Sequence, residues 1–111
     1  MDIYSALADP NRRQILELLA KNGSLSSTDI SNKFNISSPA ISQHLKVLRE
    51  TELVKVEKIA QNRIYTINTQ TISQLDSWVQ KLTILWDSRF SRLDKVLERE
   101  KKRLEVKNNG R

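Results

Sequence analysis

The sequence predicts a mainly α-helical fold that carries one two-stranded β-hairpin and ends in a long helix. Three observations predict it. Two short segments with helix-capping signals follow one another almost without a gap, two period-two segments rich in β-branched residues come directly after them, and the last third repeats apolar residues at steps of three and four. With 111 residues the chain is long enough for one small domain. Apolar residues make up 38%, below the usual globular share, so the core must be thin and a partner chain is expected to cover what it leaves exposed.

Composition also removes whole classes of function. The chain has no cysteine, hence no disulfide, thiolate metal site, cysteine nucleophile or thiol redox sensor, which fits a reducing compartment; we expect the cytoplasm. No apolar run is long enough to cross a bilayer, and Met1-Asp2-Ile3-Tyr4 lacks the basic and apolar regions of a signal peptide, so neither membrane insertion nor secretion is expected. One histidine and no glycine-rich phosphate loop leave little equipment for enzyme chemistry beyond Asp and Glu. The net charge of +6 is spread: residues 1–68 hold 9 basic and 7 acidic groups, and residues 69–111 hold 10 and 6. Charge of this kind permits DNA without indicating it.

The first helices are set by capping. Ile3, Tyr4 and Leu7 form an apolar turn too short to be stable alone, which must pack on its own domain or on a dimer mate. Asp9 can accept bonds from the orphan amides of a following helix, and Pro10 suits its first position. Ile15, Leu16, Leu18 and Leu19 supply the apolar face, and Lys21-Asn22-Gly23 stops the helix. Ser26-Ser27-Thr28-Asp29 offers caps for a short helix reaching about Phe34, with Ile30 and Phe34 on one side. After a tight turn at Asn35-Ile36-Ser37, Ser37 or Ser38 can cap a helix with Pro39 in its first turn that runs to about Glu50. Two short helices so joined make a helix-turn-helix candidate.

At 100° per residue, the second of these helices puts Ile41, Leu45 and Leu48 on one face and Pro39, Ser42, Gln43 and Lys46 roughly opposite. A solvated helix usually mixes Glu with Lys on its outer face, whereas a major-groove reader needs small hydroxyls and amides with nothing to repel phosphate. Leu53 to Lys58 and Arg63 to Ile67 then alternate as two strands around a turn at Ala60-Gln61-Asn62, which brings Lys58, Gln61 and Arg63 to the tip. A helix-turn-helix followed by a basic-tipped hairpin is a winged helix-turn-helix.

The runs Ala6-Leu7-Ala8-Asp9-Pro10-Asn11-Arg12-Arg13-Gln14-Ile15-Leu16, Ser37-Ser38-Pro39-Ala40-Ile41-Ser42-Gln43-His44-Leu45-Lys46-Val47-Leu48-Arg49-Glu50 and Leu53-Val54 resemble the ArsR/SmtB-type winged-helix repressors over about residues 3–68. The last third, with Trp78 and Trp86, is similar to the autorepressor-type subgroup that lacks the family's metal ligands. The resemblance implies a homodimeric bacterial transcriptional regulator, usually a repressor, that binds an imperfect inverted repeat. It places base contacts at Ser38, Pro39, Ser42 and Gln43, with Pro39 standing where a polar residue is more usual.

From about Gln70 to Glu105, the residues Leu75, Val79, Leu82, Trp86, Leu93 and Val96 step by three and four, with a missed beat at Arg89 that Phe90 flanks. A helix of some 36 residues is roughly 54 Å long, longer than so small a domain is wide, so part of this stripe is expected to meet another chain. The expected dimer seam is thus Leu75, Val79, Leu82, Trp86, Phe90 and Leu93, with Ile3, Tyr4 and Leu7 beside it.

Several residues have plainer readings. His44 flanks an apolar face, where a hydrogen-bonded imidazole is ordinary, and a transition-metal site needs three or four ligands. No metal or other cofactor is therefore expected. Trp78 and Trp86 could wall an effector pocket, but packing is the simpler role, and the sequence identifies no small-molecule effector. Arg63 could pair with Glu57 across the hairpin, Tyr65 packs beneath it, and Lys101-Lys102-Arg103 reads as a solvated helix end.

The expected organisation is a DNA-binding domain over residues 1–68, a dimerisation helix of the same domain over 69–107 and a frayed tail at 108–111. The expected function is sequence-specific DNA binding by a homodimeric repressor, with Ser37, Ser38, Pro39, Ser42, Gln43 and Lys46 on the helix and Lys58, Gln61 and Arg63 on the wing touching double-stranded DNA. The alternative is a winged helix used only for protein contact, without specific DNA binding; a salt-dependent affinity for an inverted repeat separates the two.

Overall fold

A computed structural model describes residues 1–109, with side chains described through Val106. The elements run α1 (Ile3–Leu7), α2 (Pro10–Asn22), β1 (Leu25–Ser26), α3 (Ser27–Asn32), α4 (Ser38–Glu50), β2 (Val54–Ile59), β3 (Asn62–Ile67) and α5 (Thr69–Asn109). Two compact units emerge, Met1–Ser73 and the remainder of α5 from Gln74.

In the first unit each boundary follows from local chemistry. The Asp9 carboxylate accepts from the amides of Asn11 and Arg12 at 2.7 and 3.3 Å, with Pro10 opening α2. Gly23 closes α2 at φ 85°, a conformation that costs glycine nothing. Ser26 and Asp29 form a reciprocal capping box on α3, and Ser37 caps α4. The carbonyl end of α1 is held by two arginines of α2. Arg12 Nε donates to the Ala6 carbonyl at 2.7 Å, and Arg13 donates to those of Leu7 and Ala8 at 2.7 and 3.1 Å. The apolar turn is therefore fastened to its own domain, with Ala6 buried.

The core is assembled from Ile15, Leu19, Ile30, Ile41, Leu48 and Leu53, all at most 1% exposed, with Leu45, Val54 and Tyr65 around them. α4 leaves its last turn through Glu52 at φ 61°: the Glu52 amide donates to Arg49 and the Leu53 amide to Leu48, both at 3.0 Å. This is the Schellman arrangement, with glutamate where glycine is usual.

The hairpin is present, but the sheet has three strands, in the order β1-β3-β2, all antiparallel. The third strand comes from Leu25 and Ser26, which pair with Tyr65 and Ile64. The turn is shorter than expected: Ile59 pairs with Asn62, leaving Ala60 and Gln61 between the strands, with Ala60 at φ 55°. α3 also ends earlier, at Asn32, and the amides of Lys33 and Phe34 donate to Ile30 and Ser31 as the chain turns away.

The first unit extends past the expected boundary at residue 68 because the start of α5 belongs to it. Asn68 accepts from the Gln70 amide at 3.2 Å, and Thr71 is buried. The second unit is helix throughout. It runs through Asn109, so it takes in two positions expected to fray, Asn108 and Asn109, while Gly110 and Arg111 lie outside the described residues.

Candidate nucleic-acid interface

α4 buries Ile41, Leu45 and Leu48 and turns Ser38, Pro39, Ser42, Gln43 and Lys46 to solvent, so the outward face follows the helical period. Two of the sequence-predicted residues are engaged within the fold. The Ser37 hydroxyl accepts from the Ala40 amide at 3.3 Å as the cap, and the hydroxyls of Ser38 and Ser31 lie 3.0 Å apart, tying α4 to α3. Pro39, Ser42, Gln43 and Lys46 keep their side chains clear of such duties. His44 is half-buried and its Nδ1 lies 3.3 Å from an Arg12 guanidinium nitrogen. It belongs to the α1–α2–α4 junction, as its place beside the apolar face suggested.

Asp9 sits at the same junction. Burial alone pushes its carboxyl up, but the amides of Asn11 and Arg12 and the neighbouring His44 and Arg12 charges outweigh that and hold it below the ordinary value of 3.8. Its contact with Arg12 is loose, at 3.9 Å.

The wing divides into two faces. Val54, Val56 and Lys58 pair with Ile67, Tyr65 and Arg63, and successive residues alternate, so one face runs from the buried Val54 and Tyr65 out to Lys58 and Arg63 at the tip. Glu57 pairs with Ile64 on the other face. The alternative role for Arg63, a pair with Glu57, is therefore not formed. Register places Lys58, a like charge, directly opposite Arg63, an arrangement that is unfavourable unless something anionic neutralises it.

Arg63 instead faces α4. Together with Ser42, Lys46 and Arg49 it lines a cleft of about 370 Å³, floored by Leu45 and Tyr65. Lys58 and Gln61 are exposed near the tip but do not line this cleft. Arg49 was absent from the sequence-based set because a cation in the last turn of a helix is already explained by the helix dipole. A second, hydroxyl-rich cleft of about 190 Å³ lies between α3 and α4, where Ser27, Thr28 and Ser31 face Ser38 and Ser42.

On α5, Leu75 is half-buried, and Val79, Leu82, Trp86, Phe90 and Leu93 are 47 to 58% exposed. The missed beat at Arg89 resolves into an eleven-residue step: Val79, Leu82, Trp86 and Phe90 are spaced three, four and four, which returns Phe90 to the face of Val79. Trp86 and Phe90 meet edge to face, with ring centroids 4.7 Å apart. Ile3 and Leu7 are half-buried on α1 and Tyr4 is exposed. Arg103 pairs with Glu100 at 2.9 Å in full view of solvent, in keeping with a solvated end. No helix among the described residues is long and apolar enough to cross a membrane, and no cluster of three or more His, Cys, Asp or Glu that could hold a metal occurs among them.

Comparison with known proteins matches residues 9–56 to the bacterial regulatory protein arsR family. The transcriptional repressor SdpR of Bacillus subtilis is 37% identical over 78 residues, 70% of this chain and 86% of that protein. The transcriptional activator HlyU of Vibrio cholerae is 34% identical over 80 residues, 72% of this chain and 73% of its own. A crystal structure of a possible transcriptional regulator for arsenical resistance superposes with a TM-score of 0.67 at 32% identity, covering 74% of this chain and 84% of that one. These relatives are transcriptional regulators and not enzymes. This chain is a winged helix-turn-helix DNA-binding protein that belongs to the arsR family of bacterial transcriptional regulators.

Proposed function

We propose that this regulator is a homodimeric repressor that binds an inverted-repeat operator in the cytoplasm, reading bases with α4 and steadying itself on the backbone with the wing. The observation that carries the reading is the outer face of α4. Pro39, Ser42, Gln43 and Lys46 are exposed, the one acidic residue of α4 is Glu50 at its far end, and Arg63 on the wing flanks the face. An amide such as that of Gln43 offers one donor and one acceptor to adenine, while Lys58, Gln61 and Arg63 suit phosphate or a narrow minor groove. The similarity to the repressor SdpR supports repression as the outcome of binding.

The dimer rests on α5. A stripe of Val79, Leu82, Trp86, Phe90 and Leu93 left open to water, continued by Leu75, is what a helix seam looks like before its partner arrives, and on the first unit Ile3, Tyr4 and Leu7 offer apolar surface of their own to a second copy. Two copies related by a twofold axis would present two α4 helices to successive major grooves, which is why the operator should be an inverted repeat.

The test is a footprint on the DNA flanking the protein's own gene, followed by binding to that site and to random duplex at several salt concentrations. Wild type should protect a symmetric site with a steep salt dependence. Gln43→Ala should lose about 1 to 3 kcal/mol on the matched site and little on random DNA. A salt-independent interaction, or equal losses on both duplexes, would remove α4 from the reading role and favour a module for protein contact.

A further inference from the structure

The cleft between α4 and the wing is more strongly biased than a general basic surface. Lys46, Arg49 and Arg63 converge on it from two elements, and no acidic side chain lines it. Among the described residues none of these three forms an ion pair or a side-chain hydrogen bond. The contrast with the other arginines of the domain is direct: Arg12 and Arg13 spend their donors on the carbonyls of α1. The hydroxyl-bearing Ser27 and Ser42 stand at the cleft wall and can add neutral donors. Its volume, about 370 Å³, is ample for a tetrahedral oxyanion with its hydration. Lys58 opposite Arg63 raises the cost of leaving the wing tip without an anion.

From this geometry we infer that the cleft is a seat for one phosphate group, held jointly by Lys46, Arg49 and Arg63, so that α4 and the wing grip the same anion. The inference rests on the DNA-binding reading only for the source of the phosphate. Bound from a DNA backbone, the phosphate fixes the angle between reading helix and wing. Bound from a free phosphate ester, it competes with DNA for the same cations. Guanidinium forks suit this task because each can donate two bonds to a phosphate, whereas Lys46 acts as a point charge.

Two measurements on the full chain test it. In the first, arginine Nε–Hε resonances are followed by NMR during titration with inorganic phosphate. Arg49 and Arg63 should shift together with one midpoint, while Arg12 and Arg13 stay still. This arm needs no DNA, so it stands even if the DNA-binding reading fails. In the second, a labelled random duplex is bound at low salt by wild type, Arg49→Gln, Arg63→Gln and the double variant. Each single change should weaken binding about tenfold, the size of one charge-assisted contact. The double variant should lose clearly less than the product of the two, because both arginines serve one phosphate.

Arg49→Lys should recover much of the loss; Arg49→Gln should lower the melting temperature only slightly, as loss of a helix-dipole charge requires, while Arg63→Gln leaves it unchanged, so their equal losses in binding are separate from the dipole role of Arg49. A common phosphate midpoint with unchanged duplex affinity assigns the seat to a free phosphate ester. Independent losses that multiply, or no shift of Arg49 and Arg63 together with unchanged duplex affinity, overturn the shared seat.

Discussion

Ile30, Ile41, Leu48 and Leu53 in the first unit are shut away from water, whereas Leu82, Trp86, Phe90 and Leu93 on α5 are roughly half exposed. Both sets are apolar and recur at helical or strand periods, so nothing in the pattern alone separates them. The difference is where the covering surface comes from. In Met1–Ser73 it comes from neighbouring elements of the same chain: α2 and α4 meet each other, α2 meets β3, and α4 meets β2. Along Gln74 to Val106 every described residue except the half-buried Leu75 is exposed. Periodicity therefore reports that a face is meant to be covered, and not which chain covers it.

Stripping the α5 stripe should have the largest effect. In the proposed dimer, Leu82→Ala with Trp86→Ala should remove packing worth on the order of 2 to 5 kcal/mol at each site. Light scattering should report a monomer at micromolar concentration, and operator affinity should fall with it. Unchanged dimerisation of the double variant would place the seam elsewhere.

A core truncation should behave differently. Leu48→Ala, at a fully buried site, should cost about 2 to 5 kcal/mol whatever the protein concentration, a large part of the stability of so small a domain. The loss produced by the α5 double variant should instead shrink as the protein is diluted, because dimer stability depends on mass action. Thermal melts at two concentrations tell the two regions apart.

Smaller effects sharpen the account of the first unit. Asp9→Ala should cost about 1 kcal/mol at neutral pH through the lost cap. The folded carboxyl titrates below its ordinary 3.8, so its charge stabilises the fold above that value. That contribution fades as pH falls through the ordinary value toward the lower folded one, and the gap between wild type and Asp9→Ala in acid melts should narrow there. Glu52→Gly should have the smallest effect and the opposite sign. It relieves a left-handed backbone at φ 61° and should stabilise by about 0.5 to 1 kcal/mol, visible as a modest rise in melting temperature.

Legibility followed the range of the interaction. The caps at Asp9, Ser26 and Ser37 and the stop at Gly23 were readable because each is settled within a few residues by side-chain donors, acceptors and glycine's conformational freedom. The outward face of α4 was readable because a helix has one period. β1 was not: Leu25 and Ser26 carry no strand signature, and their pairing with Tyr65 and Ile64 is made far along the chain. Glu52 was missed for the opposite reason, since the sequence shows glutamate where the turn would announce itself with glycine. The plainer alternative for Arg63, a pair with Glu57, is removed by register, because a two-residue turn at Ala60-Gln61 sets Lys58 opposite Arg63, and one step along a strand moves a side chain to the other face.

From the residues alone came the helices and the hairpin in their order, the helix starts set by caps, the faces that must be covered and the family to which the chain belongs. Those properties depend on local donors and acceptors and on fixed backbone periods. It took the folded arrangement to show that Arg12 and Arg13 are spent on α1, that Arg49 joins Lys46 and Arg63 around one cleft, and that the wing is completed by β1. These depend on which distant segments are brought side by side, and a list of residues leaves that open until burial of the shared core fixes it.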